Sequence, residues 1–338
     1  MKKSQFVSSA FSLVALVAAS MLTSGSLLTG CAAEGDEAIA SSERRIVGGE
    51  PTEVKDFPAV VSILVGTLEN GSVCTGTLID PRWVLTAAHC VYPPLLHLAD
   101  VKKVAAKTSV AFDRTNIFSS TGRTVRAQRI VLHPDFSEDF LRGSDIALIE
   151  LEEAVTDREP MAYSASVTPH IGQMVTFVGF GLIASNALPD RQHIGTEFTL
   201  KARPVIPCST LGPQMPLGDD KVLCFDQRDG HGICGGDSGG PAIAQVDGVP
   251  TVVGLSDFIF DTSATAAGPS CEAFAASTRT DIFADFIAEA LAHTDSDDSG
   301  GCTIAAGRRT GAGAAFGAFG LALALVGLRR RRGQHRTI

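Results

Sequence analysis

Apolar residues in this chain come in short runs, and turn residues separate one run from the next. The runs at 59–65, 76–79, 84–87, 145–151, 174–179 and 249–255 have strand length, and several alternate apolar with polar. Many short strands bounded by turns fold as an all-β barrel or sandwich. One helix is predicted near the end, where Ile282, Phe283, Phe286, Ile287 and Leu291 fall at helical spacing after a cap at Thr280 or Asp281. Set apart from its ends, the chain keeps roughly 250 residues, enough for one or two domains with a large core.

A second feature is chemical. Cys234-Gly235-Gly236-Asp237-Ser238-Gly239-Gly240-Pro241 surrounds one serine with glycines. Glycine tolerates positive φ and lets other groups come close to the main chain. Such a backbone suits a nucleophile whose neighbouring N–H groups converge on a carbonyl, although four such residues alone also read as a tight turn. A hydroxyl needs an adjacent base near neutral pH. Among eight histidines, His89 stands out, at the end of an apolar run and beside Cys90. The base needs an orienting carboxylate in turn. Asp145 opens the strand-like run Ile146-Ala147-Leu148-Ile149-Glu150-Leu151, where its side chain is free to turn inward.

Five strings in order carry a resemblance: Ile46-Val47-Gly48-Gly49, Thr86-Ala87-Ala88-His89-Cys90, Asp145-Ile146-Ala147-Leu148, Gly179-Phe180-Gly181 and Gly236-Asp237-Ser238-Gly239-Gly240-Pro241. From about residue 46 to 293 the chain resembles the chymotrypsin/trypsin family of serine endopeptidases. The resemblance implies two six-stranded antiparallel β-barrels with a C-terminal helix and the active site in the cleft between them. It implies Ser238 as nucleophile, His89 as general base and acid, and Asp145 as the residue that orients the imidazole. The oxyanion hole would be the N–H groups of Gly236 and Ser238. The competing reading is a non-catalytic surface binding module on the same fold; such proteins usually lack one of the three residues, and all three are present here.

Arg44-Arg45 before Ile46 reads as an exposed cleavage site. In the family, cutting before this isoleucine frees an α-amino group that pairs with the aspartate preceding the serine, here Asp237. The chain is therefore expected to be a zymogen, with 31–45 as pro-segment. The residue six before the serine lies at the floor of the family's primary pocket, and here it is Gly232. Ser256 and Phe258 would form the wall and Ala275 the rear. Asp257-Phe258 stand where the family commonly has Trp-Gly. With no acid at 232, unless Asp229 or His231 intrudes, cleavage is expected after apolar or small residues. A separate trypsin-like activator must then cut at Arg45.

Six of eight cysteines lie within 46–293, and six allow 15 pairings. The family pattern implies Cys74–Cys90, Cys208–Cys224 and Cys234–Cys271. No spacing favours a metal, and no cofactor is expected. Disulfides place the protein in an oxidising compartment. Residues 1–30 agree: Lys2-Lys3 and the apolar stretch 11–22 read as a secretory signal. Leu28-Thr29-Gly30-Cys31 resembles a lipobox, with Cys31 lipidated; plain cleavage near Ala32-Ala33 is the alternative. Residues 294–338 hold an acidic linker, Cys302, an apolar run at 311–328 and four arginines. About 18 apolar residues are near the lower limit for a span, and the arginines would stay cytoplasmic. This tail resembles the C-terminal sorting tails of myxobacterial surface proteins, with Cys302 as processing point; a permanent anchor is the simpler alternative. The expected partners are protein or peptide substrates, the activating protease and a membrane or cell surface. A net charge of −9 argues against nucleic acid.

Overall fold

The computed structural model describes residues 49–137, 143–182, 198–212, 218–260, 271 and 273–297. The cleavage site, Cys31, Cys302 and the apolar runs at both ends lie outside them. No helix among the described residues is long and apolar enough to cross a membrane.

After a short β1 (Glu50–Pro51), six strands close a first barrel: β2 (Val60–Val65), β3 (Ser72–Asp80), β4 (Trp83–Thr86), β5 (Thr108–Phe112), β6 (Arg123–Leu132) and β7 (Ala147–Leu151). The order around the ring is β2-β3-β4-β7-β6-β5, with every pair antiparallel. Its interior holds Val61, Ile63, Leu78, Val84, Val110, Phe112 and Ile149, all buried. A seven-residue helix, α1 (Val101–Lys107), precedes β5. It is capped by Asp100, whose carboxylate accepts from the Lys103 N–H at 2.8 Å. Val104 and Ala105 face the barrel core.

The second half adds β8 (Ala162–Tyr163), β9 (Met174–Gly179), β10 (Phe198–Pro204), β11 (Val222–Asp226), β12 (Pro241–Val246), β13 (Val249–Phe260) and β14 (Phe274–Arg279). β10-β9-β12-β13-β14-β11 run in order, and Ile206 just past β10 bridges Cys224 of β11 to complete the ring. Two antiparallel six-stranded barrels result, as in the chymotrypsin-like fold. Phe177 and Phe225 meet edge-on in the second core, 4.8 Å between ring centres, beside Val253 and Ala275.

Two apolar seams join the barrels. Val60 of the first packs with Val178, Phe180 and Ile243 of the second. Ile79, Trp83, Leu85 and Leu148 pack with Val252 and Leu255, and the C-terminal helix α2 (Ala284–Asp297) closes this seam with Ile287 and Ala290. Here the structure departs in detail from the helical spacing. Asp281–Phe283 form a 3-10 turn, so Ile282 points outward at 39% exposure while Phe283 is buried. Neither expected cap acts as one. The Thr280 hydroxyl donates to the Val252 carbonyl, and the Asp281 carboxylate accepts from Arg279 and Thr168.

Candidate active site

His89 sits on a short 3-10 turn, Ala88–Val91, directly after β4. The Cys74–Cys90 disulfide ties that turn to β3. Asp145 lies two residues before β7, the strand paired with β4, so barrel closure carries it beneath the histidine. Its two carboxylate oxygens are both engaged by His89: Nδ1 lies 2.5 Å from Oδ2, and the backbone N–H donates to Oδ1 at 2.8 Å. Asp145 is 1% exposed. Burial alone would raise its pKa, but the His89 charge and hydrogen bonds outweigh it and hold the carboxyl below the usual range.

The serine loop connects to the same place from the second barrel. The Thr75 N–H of β3 donates to the Ser238 carbonyl at 2.9 Å. The Thr75 hydroxyl donates to the Gly236 carbonyl at 2.9 Å and accepts from the Phe180 N–H at 3.0 Å. Gly239 lies so close to the strand leading to His89 that a Cβ there would fall 2.1 Å from Thr86 Oγ1. These contacts bring Ser238, half-buried, to the edge that carries His89.

Gly236 has φ of +99°, and a Cβ would strike Gly181 Cα at 2.8 Å. Only glycine fits there without strain. Among the described residues neither the Gly236 nor the Ser238 N–H meets an acceptor. Two unengaged donors beside a serine are what an oxyanion requires.

Asp237 turns the other way, into the protein, and is 1% exposed. It accepts from the Gly181 N–H and the Cys234 N–H, each at 2.8 Å. Gly179 and Gly181 leave it room, since a Cβ on either would come within 2.6 Å of its carboxylate. No cation among the described residues pairs with it. Burial pushes its pKa up to about 7 against the pull of the two N–H groups.

The structure joins Cys208 to Cys224 and Cys234 to Cys271 as well. The last bond ties the serine loop to the segment entering β14. Around Gly232 the structure adds a residue that the sequence reading missed. Gln227 is fully buried, and its amide accepts from the Ile233 N–H at 2.8 Å and donates to the Cys271 carbonyl at 2.9 Å. A Cβ on Gly232 would lie 2.2 Å from the Gln227 amide carbon. Asp229 and His231 both point outward, and Asp229 pairs with Arg203. Ser256 is buried on β13, with its carbonyl accepting from the Gly239 N–H at 2.7 Å. Phe258 packs toward the Cys208–Cys224 cluster, and Ala275 lies in the second barrel's core beside Ile233.

Two β-barrels and a glycine-cradled serine loop beside a buried His–Asp pair define the class: this is a serine endopeptidase, a hydrolase of peptide bonds. Comparison with known proteins narrows it. The trypsin family model matches residues 46–287, and the chain belongs to that family. It is 29% identical to "Serine protease SP24D" of Anopheles gambiae over 220 residues, 64% of this chain and 72% of that protein. It is 30% identical to a mouse tryptase over 227 residues, 62% of this chain and 77% of the relative. A trypsin of Simulium vittatum matches at 28% over 214 residues, covering 60% of this chain and 79% of its own length.

Proposed function

We propose that this protein is an exported serine endopeptidase, made as a zymogen and activated by cleavage between Arg45 and Ile46. Ser238 attacks the scissile carbonyl while His89 Nε2 takes its proton. The carbonyl oxygen becomes an oxyanion facing the Gly236 and Ser238 N–H groups. His89 then protonates the leaving amine, and water repeats the sequence on the acyl-enzyme. Asp145 holds the imidazole with Nδ1 protonated, so that Nε2 carries the accepting lone pair. The observation that carries this reading is the double engagement of Asp145 by His89, Nδ1 at 2.5 Å and backbone N–H at 2.8 Å.

The activation step rests on Asp237. A carboxyl buried without a cation favours its neutral form and leaves the loop short of its charged partner. The amine freed at Ile46 would supply that charge and fix the loop that bears the oxyanion donors. A buried pair broken on one side costs roughly 3–5 kcal/mol.

The primary pocket offers no charge at its floor. Gly232 and the buried Gln227 amide behind it, whose nitrogen and oxygen both bind backbone, favour apolar or small side chains over Arg or Lys. Activation at Arg45 is then the work of another, trypsin-like protease. Export rests on the Lys2-Lys3 signal and the oxidised cysteines; retention at a cell surface rests on Cys31, Cys302 and the apolar run at 311–328.

Labelling with a fluorophosphonate probe after cleavage at Arg45 tests the enzyme reading. Wild type should label and Ser238→Ala should not. Equal labelling of both, or none of either, rejects it. A peptide-library digest tests the pocket; a strong Arg or Lys preference rejects the apolar assignment.

A further inference from the structure

β13 carries an irregularity opposite β14. Ser256 faces Ser277 and Phe258 faces Ala276, so Asp257 is an extra residue, a bulge. It does not turn to solvent; it is 6% exposed. Its Oδ2 accepts from the Thr278 hydroxyl at 2.7 Å. Its Oδ1 is buried and meets no donor among the described residues. Carboxylate oxygens of Asp257 and Asp145 and a ring nitrogen of His89 all lie within 4.8 Å of one another.

Two carboxylates this close, both out of water, do not both ionise. Asp145 has the His89 ring and backbone N–H, whereas Asp257 has one neutral hydroxyl, so the charge belongs on Asp145 and the proton on Asp257. Burial first, and then the Asp145 charge, push the Asp257 carboxyl well above the carboxylate range. Few other groups bear on it. From β14 comes Thr278, and Arg279 beyond it is committed to Asp281 and the Asp219 carbonyl. β12 has no titratable side chain, and Tyr163 of β8 lies beside Val252, five residues away. Among the described residues, His89 and Asp145 are the titratable groups that face it.

We propose that Asp257 is a positioning residue: a neutral carboxylic acid whose Oδ1–H donates to the Asp145 carboxylate, fixing its orientation toward His89 and lowering the basicity of the pair. The orphaned Oδ1 then has a partner, and the bulge has a role, since it places this side chain against Asp145. With the donor present, Asp145 carries less charge density toward the imidazole, so the imidazolium formed in the reaction is held less tightly. The inference rests on the triad reading above.

Its test uses the processed full chain, with Asp257→Asn, which keeps a donor and an acceptor, and Asp257→Leu, which keeps bulk but no donor. Infrared difference spectra of wild type minus Asp257→Asn at neutral pH should contain the carbonyl stretch of a protonated carboxylic acid. Asp257→Leu should lower kcat about tenfold with little change in KM, and move the acid limb of kcat/KM upward by about half a pH unit. Asp257→Asn should recover most of the rate and the original limb. Absence of the acid band overturns the proposal, as does a wild-type pH profile in Asp257→Leu. If Asp257→Leu does not fold, the infrared result with Asp257→Asn decides alone. Failure of the triad reading is seen separately, as wild-type protein that takes no fluorophosphonate label.

Discussion

The two barrels treat their buried acids differently. In the first, each has a nitrogen partner among the described residues: Asp145 has the His89 ring, and Glu150, 4% exposed, has Arg129 Nε at 2.7 Å. In the second, Asp237 and Asp257 are as deeply buried, and no described cation pairs with either. The first barrel is electrostatically complete as it stands. The second holds two acids without a described cation, which on the proposals above await an amine made by proteolysis in one case and keep a proton in the other. His89 and Asp145 rest on the paired half, while Ser238 and the two acids without a described cation lie in the other.

The sharpest way to break this contrast is in the first barrel. Asp145→Asn in the processed enzyme should lower kcat by about 10⁴-fold, because the amide favours the wrong imidazole tautomer. Steady-state kinetics would show it, and a loss under tenfold would mean that Asp145 does not hold His89. Next comes the second barrel's missing charge. Arg45→Gln blocks the cut and should reduce kcat/KM by about 10²–10⁴-fold, the equivalent of a broken buried pair. Full activity in the uncut variant would remove Asp237 from activation.

The same acid should leave a mark on stability. In the uncut chain its pKa rises from 3.8 to about 7 on folding. Well below pH 3.8 the carboxyl is neutral in both states and its burial carries no penalty. As pH rises toward 7 the unfolded chain ionises and the folded one resists, so stability is progressively lost. The full loss is about 4 kcal/mol at most. Urea unfolding of wild type against Asp237→Asn should show their difference changing between pH 4 and 7; a flat difference would place a cation beside Asp237 before cleavage. After the cut, wild type should lose this dependence.

Smaller effects sharpen the picture. Gly232→Asp should not create an Arg-cleaving enzyme, because its Cβ meets the Gln227 amide; it should destabilise by about 1–3 kcal/mol through overpacking. Adding Gln227→Gly should relieve the strain, and only then should Arg or Lys substrates gain. Smallest is Glu150→Gln, expected to lower stability by about 1–2 kcal/mol with the processed enzyme's kcat/KM unchanged. A change in activity there would show that the Glu150–Arg129 pair reaches the active site through β7.

Much of this was legible in the sequence. Strand runs at 59–65 and 174–179 correspond to β2 and β9 to within a residue, because a strand's burial is written locally into the chain, as in β2, where five of six residues are buried. The serine loop was legible for the same reason, since its glycines answer local backbone demands. Helix α1 went unread, although Asp100 before Val101 is a capping signal; seven residues carry too little periodicity to stand out. Gln227 had no signal at all. Its role depends on Ile233 and Cys271, the latter 44 residues away, and only folding brings them together. Asp257 was visible as an acid where the family commonly has tryptophan, but the bulge that turns it toward Asp145 belongs to the strand pairing and not to local sequence.

Thr75 leaves the deepest constraint on how this molecule can be regulated. Its N–H, hydroxyl and carbonyl engage Ser238, Gly236, Phe180 and Thr86 at once. The bonds to Ser238, Gly236 and Phe180 cross between the barrels, and a hinge or shear would have to break all three together, beside Ser238 itself. Domain closure, which many two-part enzymes use to gate access, is therefore closed to this one. An inhibitor, activator or substrate must work by rearranging loops around a rigid seam.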